Sequence, residues 1–335
     1  MTDNDAVLAQ ARDWLAEGKG VALATVIGTW GSSPRPPGSL LAVNAEQEFV
    51  GSVSGGCIEG AVITEAVGTI ADGEPRLLDF GISDEQAWEV GLSCGGEMKI
   101  FVEKVPAEQI LEGLIGERPI ALATRLESAT HALVRPRSQS GDFTLGDDAL
   151  AAARQALAEN RATTVDDPGG SLFVTVFNRP LRMIVVGAVH IAQALAPMAA
   201  SAGFEVTVVD PRRTFATDAR FPAISLRHDW PDDALAELRP DARTAVVTLT
   251  HDPKLDDPAL IAALASDAYY VGALGSRKTH AKRLERLRAA DCGEETLKRI
   301  HSPVGLALGG RKATEIAVSI LAQAVAACHG RDKDF

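Results

Sequence analysis

Apolar positions along the chain follow two different rhythms, and the change comes near Arg179-Pro180. Before it the runs are short. Val7, Leu8, Ala11, Trp14 and Leu15 share one face at helical spacing and predict a helix over 5–17. Runs at 20–28 (GVALATVIG), 39–44 and 48–54 predict strands, and a helical pattern follows over 58–72. Between the first two strands, TWGSSPRPPG carries three prolines and two glycines, which exclude regular structure. LSCGGEMKIFVEKV runs from a glycine-flanked cysteine into another strand. PIALATRLE (119–127) echoes GVALATVIG, and the echo predicts that the two strands lie near each other in one sheet. THALVRP and GDFTLGD predict a hairpin, 147–159 a helix and SLFVTVF a closing strand, so 1–179 reads as one α+β domain.

Beyond residue 180 the runs are longer and alternate with helical segments. LRMIVVGAVHIAQALAPMAASAGFEVTVVDPRR is an apolar strand, a tight turn at Gly187, a helix ending near Gly203 and a second apolar strand ending at Asp210. That is a βαβ unit with both strands buried, as a parallel doubly wound sheet requires. Strands at 244–250 and 269–273 alternate with helices at 232–239, 257–266 and 279–290, and a last helix spans 312–328. Residues 180–335 therefore read as a Rossmann-like doubly wound domain, and the chain as α/β with an α+β domain in front.

Charge narrows the partners. A net charge of −12 argues against a nucleic-acid surface, which needs clustered Lys and Arg. The first twenty residues are acidic and amphipathic, without the basic and apolar regions of a secretory signal, and no apolar run reaches membrane-spanning length. A cytoplasmic protein is expected. Cys57, Cys94, Cys292 and Cys328 are far apart, with neither C-x-x-C pairs nor companion histidine spacing, so no disulfide framework or zinc site is indicated.

Candidate chemistry gathers on glycine-rich corners. SVSGGCIEG places Gly55, Gly56, Cys57 and Glu59 where a strand turns into a helix, and SCGGE repeats the arrangement with Cys94, Gly95 and Gly96. A helix start offers partial positive charge and unpaired N–H groups, which favour a thiolate or a bound anion. As a small apolar filler, Cys57 would need no further explanation. Two such thiols suggest sulfur transfer, or a ligand containing sulfur and a soft metal. Ser32, Ser33 and Arg35 in GSSPRPPG suit hydrogen bonding to a phosphate or a pterin-like heterocycle. In the second domain the turn Gly187-Ala188-Val189-His190 lacks the second glycine of the dinucleotide fingerprint, with Val189 where phosphate oxygens come closest. Asp210 still matches the ribose-binding acid, Arg212 and Arg213 offer a phosphate site, and Gly275, Ser276 and Arg277 follow a buried strand where ligand crevices form. Binding of NAD(P) or another nucleotide here, and a turn that has lost its ligand, both stay open. Neither domain shows a nucleophile, base and orienting acid in one motif; His190, His251 and His280 are isolated.

Six ordered motifs, GSSPRPPGS, GSVSGGCIEG, SCGGEMKIFVE, VVGAVHIAQALAPMA, YVGALGSRKT and HSPVGLALGGRKATEIAVSILAQ, resemble those of the XdhC/CoxI family across nearly the whole chain. These are accessory proteins that mature molybdenum hydroxylases such as xanthine dehydrogenase and carbon monoxide dehydrogenase. The resemblance implies a cytoplasmic maturation factor that binds molybdenum cofactor, as molybdopterin or its cytosine dinucleotide. It would protect the sulfurated form and hand it to the apo-hydroxylase large subunit, in concert with a cysteine desulfurase and as a homodimer. Cys57 and Cys94 would then contact the molybdenum or its terminal sulfur. Where the family more usually reads G-A-G-H this chain has Val189, a departure that bears on nucleotide binding in the second domain only. The competing reading is an NAD(P)- or flavin-dependent oxidoreductase with a redox cysteine, and a third is a scaffold that docks proteins without a small molecule.

Overall fold

In a computed structural model, which describes residues 3–31, 35–81 and 97–331, the chain divides into two compact units, 1–179 and 180–335. The first unit is built from one supersecondary pattern used twice. Helix α1 (Asp3–Ala16) precedes strands β1 (Val21–Trp30), β2 (Leu40–Asn44) and β3 (Phe49–Gly51), followed by α2 (Glu59–Asp72), β4 (Arg76–Phe80) and β5 (Glu97–Lys104). The order then repeats: α3 (Glu108–Gly116), β6 (Ile120–Arg125), β7 (Thr130–Val134), β8 (Gln139–Gly141), α4 (Asp147–Glu159), β9 (Thr163–Asp167) and β10 (Gly170–Phe177). Each set makes an antiparallel five-stranded sheet, ordered β3-β2-β1-β5-β4 and β8-β7-β6-β10-β9.

The echo between GVALATVIG and PIALATRLE takes its meaning from this duplication. The two strands do not share a sheet, as the sequence suggested; β1 and β6 are the central strands of two separate sheets. Both need residues that pack on two faces, because each sheet is covered on both sides. α1, α3 and the inner faces of both sheets share one apolar layer that includes Leu8, Trp14, Leu23, Leu111, Leu122 and Phe177. α2 closes the outer face of the first sheet through Val62 and Ala66, and α4 closes that of the second through Ala149 and Ala153. Filling such a layer with a Val or Leu side chain contributes about 2 kcal/mol each. One polar pair crosses the shared layer: Glu103 on β5 and His131 on β7 meet at 2.8 Å, both almost fully buried.

The second unit has the topology its long apolar runs require. β11 (Arg182–Val186), α5 (His190–Ser201), β12 (Glu205–Val209), β13 (Ser225–Arg227), α6 (Pro231–Leu238), β14 (Thr244–Thr248) and α7 (Pro253–Leu264) lead into the second half. There β15 (Tyr270–Ala273), α8 (Arg277–Ala289), α9 (Glu294–Leu297), β16 (Ile300–His301) and α10 (Ala313–Cys328) complete the unit. The sheet is parallel throughout, in the order β13-β12-β11-β14-β15-β16, and separate apolar clusters cover its two faces. Strand order reverses between β11 and β14, so the connections leaving their carboxyl ends border the crevice in which such sheets hold ligands.

Candidate functional site

Cys57 stands in the connection from β3 to α2, two residues before the helix begins, and is exposed. The connection is held from inside by one carboxylate. Glu59, the first residue of α2 and only 7% exposed, accepts hydrogen bonds from the Ser52 hydroxyl (2.8 Å) and from the amides of Val53 (3.2 Å), Ser54 (2.9 Å), Gly55 (3.0 Å) and Gly56 (2.8 Å). It also takes a short bond from the Ser54 hydroxyl. The Ser54 oxygen in turn accepts from the amides of Cys57 and Ile58, each at 3.1 Å. Burial alone would raise the Glu59 pKa, but the bonds from Ser54 and Ser52 outweigh it and hold the group at about 2.

Two consequences follow for the chemistry expected of this corner. The amides of residues 53–58 are not spare, as a bare helix start would have them; Glu59 and Ser54 consume them, so an anion has no free amide cradle there. What the corner offers outward is the Cys57 side chain. The backbone reaches round the buried carboxylate only because Gly55 and Gly56 both adopt positive φ, 80° and 123°. Among the described residues, a Cβ on Gly56 or on Gly60 would meet nothing within 4 Å. Arg35 joins the site from the preceding loop, its Nε donating to the Ser52 carbonyl at 3.2 Å. Arg35, Gly55, Gly56, Cys57 and Glu59 are thus brought together, whereas Ser32, Ser33, Cys94, Gly95 and Gly96 lie outside the described residues.

Ser52 and Ser54 belong to the site although sequence reasoning assigned them no role. The usual helix-start signature sets a hydroxyl three residues before the carboxylate. Here Ser54 precedes Glu59 by five residues and Ser52 by seven, because the glycine pair lets the loop double back.

The Rossmann turn is organised differently. Gly187 has φ 107°, and a Cβ there would fall 2.4 Å from the Thr250 methyl, so the turn needs glycine for close approach to its neighbouring loop. Val189 is the residue before α5, and His190 opens the helix in an exposed position. Asp210 is fully buried and already engaged: it accepts from the Ala188 amide at 2.8 Å and from Arg212 through Nε at 2.9 Å and a terminal nitrogen at 2.7 Å. Burial would raise its pKa, but Arg212 and the Ala188 amide keep the carboxylate below its ordinary value. Arg212 also lies over the Phe215 ring at 4.2 Å. The acid and arginine expected to meet a ribose or phosphate are paired with each other. Gly275 holds φ 143°, Ser276 caps α8 by accepting from the Thr279 amide at 3.2 Å, and Arg277 is exposed. Among the described residues no group of three or more His, Cys, Asp or Glu converges as a metal cage would.

Comparison with known proteins finds a match for each of the two units. One family model, described as the XdhC and CoxI family, matches residues 14–81, and a second, described as the XdhC Rossmann domain, matches 183–324. The chain is 29% identical over 324 residues to the molybdenum cofactor insertion chaperone PaoD of Escherichia coli, covering 96% of this chain and 87% of that one. It is 26% identical over 313 residues to a Bacillus subtilis protein named as a probable xanthine dehydrogenase subunit, covering 90% and 92%. A crystal structure of a xanthine dehydrogenase from Bacillus halodurans shares the fold, with a TM-score of 0.77 and 23% identity over 99% of this chain and 97% of that one. The glycine-cysteine corner lies inside the first matched segment and the parallel sheet with its altered turn inside the second: the chain belongs to the XdhC and CoxI family.

Proposed function

We propose that this protein binds molybdenum cofactor, shields its sulfurated form and delivers it to a molybdenum hydroxylase of the xanthine dehydrogenase type. The observation that carries the reading is the exposed Cys57 thiol, set on a corner whose own amides are consumed by Glu59 and Ser54. Such a corner fixes where the sulfur stands and leaves it accessible, which suits a soft metal–sulfur cargo. The name of the Escherichia coli relative, a molybdenum cofactor insertion chaperone, supports the same reading. In this reading Cys57 and Cys94 touch the molybdenum or its terminal sulfur, while Arg35, Ser32 and Ser33 hold the pterin or its phosphate. A cysteine desulfurase supplies the sulfur, the apo-hydroxylase large subunit receives the loaded cofactor, and the carrier works in the cytoplasm as a homodimer.

Hand-over rather than turnover is the reading favoured by a sequence in which neither domain carries a nucleophile, base and orienting acid in one motif. Contact with the apo-hydroxylase supplies the differential free energy that releases a tightly held cargo. The second unit weighs against the oxidoreductase alternative: the residue before α5 is Val189 where the dinucleotide fingerprint has glycine, and Asp210 is buried against Arg212. The test is reconstitution of apo-hydroxylase with sulfurated cofactor at rising amounts of carrier. Activation that saturates near one carrier per hydroxylase site is expected. Full activation by a small catalytic amount, without recharging of cofactor, would overturn the carrier reading.

A further inference from the structure

We propose that a cavity of about 190 Å³ in the second unit, lined by Lys278, Lys282, Arg283 and Arg286 together with His251 and the single carboxylate of Asp256, binds a phosphate group, either as inorganic phosphate or as the phosphomonoester of a small molecule. The connections that follow β14 and β15 build it, not the turn after β11 where the pyrophosphate of a dinucleotide would sit. α7 and α8, of 12 and 13 residues, both begin at this cavity, and Pro253, Lys278 and Thr279 of their first turns line it. Both starts are capped, α7 by the Asp252 carboxylate, which accepts from the Lys254 amide at 3.0 Å, and α8 by Ser276, so the helices bring their dipole field rather than free amides and the side chains must hold the anion.

The side chains reinforce that field on a chain whose overall charge is −12. Arg286 is answered by Asp257, with a bond of 2.9 Å from a terminal nitrogen. Lys278 and Lys282 have no ion-pair partner among the described residues. Arg283 is the deepest group, only 1% exposed, with one terminal nitrogen donating to the Leu274 carbonyl at 2.7 Å. Its nearest carboxylate, Asp256, is 3.6 Å away and turned to the neighbouring loop, accepting from the Thr250 hydroxyl at 2.6 Å and the His251 amide at 3.1 Å. The Nε of Arg283 is buried and has no hydrogen-bond partner among the described residues. A buried donor left unpaired costs free energy, and a bound oxyanion is the ligand class that a cationic pocket of this kind would recruit to offset it. With a water taking about 30 Å³, the volume suits a phosphate and a few waters, the remainder of an ester extending outward.

This inference does not rest on the cofactor-carrier reading, and its probe is different. Calorimetric titration of the full chain with inorganic phosphate, at constant ionic strength, is expected to show saturable binding. Lys278→Ala/Lys282→Ala, both exposed positions, should weaken it by about tenfold or more. Lys298→Ala, which removes a cation outside the cavity, should leave it unchanged. Parallel titrations with ribose 5-phosphate and phenyl phosphate separate the sources: tighter binding of an ester than of phosphate marks an ester site, and equal binding marks a site for the free ion. No saturable binding of phosphate or either ester, or equal affinity in wild type and the double variant, overturns the proposal.

Discussion

The two halves of the first unit have the same sheet and nearly the same element order, yet they differ at the corner that precedes their second helix. In the first half that corner runs from Ser52 to Ile58, is held by a buried carboxylate and presents a cysteine. In the second it runs from Asp142 to Gly146 and is tied outward: Leu145 is buried, its amide donates to Gln139 at 2.9 Å, and the Gly146 amide donates to Asp167 at 3.1 Å. The helix that follows opens with Asp147, which is exposed and takes no part in the turn. The connections between the last two strands differ as well. β9 and β10 join through Pro168 and Gly169 alone, whereas β4 and β5 are separated by residues 81–96, which include Cys94. One scaffold thus serves twice, and the candidate chemistry sits on the connections of one copy, where function is expected to be placed on a fold.

The largest expected effect strikes what the copies share. His131→Ala leaves the buried Glu103 carboxyl without its hydrogen-bond partner and opens a cavity in the layer common to both sheets, and should cost about 3–5 kcal/mol in urea unfolding. If the halves were independent, only the second would lose stability; the shared layer predicts that probes in both halves shift together.

Next comes the contrast between the corners. Glu59→Ala strands the amides of residues 53–56 and should cost about 3 kcal/mol, whereas Asp147→Ala at the matching helix start should cost about 0.5 kcal/mol. Equal losses would show that the carboxylate does not distinguish the two corners. Acid unfolding sharpens the same point. The folded pKa of Glu59, about 2, lies below its ordinary 4.5, so its contribution is complete above pH 4.5 and is lost as pH falls from 4.5 towards 2. Glu59→Gln should remove that part of the pH dependence, which Asp147→Asn should leave in place. A smaller effect is expected of Gly56→Ala, where a positive φ of 123° costs about 1–2 kcal/mol although the added methyl meets none of the described residues.

Much of this architecture is legible in the sequence because hydrophobic period reports burial. The helix over 147–159 and the parallel strands around Gly187 are written in uninterrupted patterns, and the structure places them accordingly. The ALAT echo is visible too, but its meaning is not: identical strands signal identical surroundings, and only sheet topology tells one sheet used by two strands from two sheets used once each. At the site, glycines and cysteine mark the corner, while the carboxylate that organises it looks, in sequence, like a ligand-facing group. Glu59 follows Cys57 by two residues in the chain, but the backbone folds over it, and that reversal depends on two positive φ angles that no side-chain pattern encodes.

The central claim, that Cys57 on its carboxylate-held corner receives the cofactor, is tested most directly by anaerobic binding of sulfurated molybdopterin to the full chain, with Cys57→Ala and the Cys57→Ala/Cys94→Ala double variant in parallel. Bound pterin and cyanide-releasable sulfur are measured after gel filtration. The account predicts that wild type retains both, and that Cys57→Ala retains less pterin or loses the terminal sulfur faster. Equal retention and equal sulfur protection in wild type and double variant would contradict it.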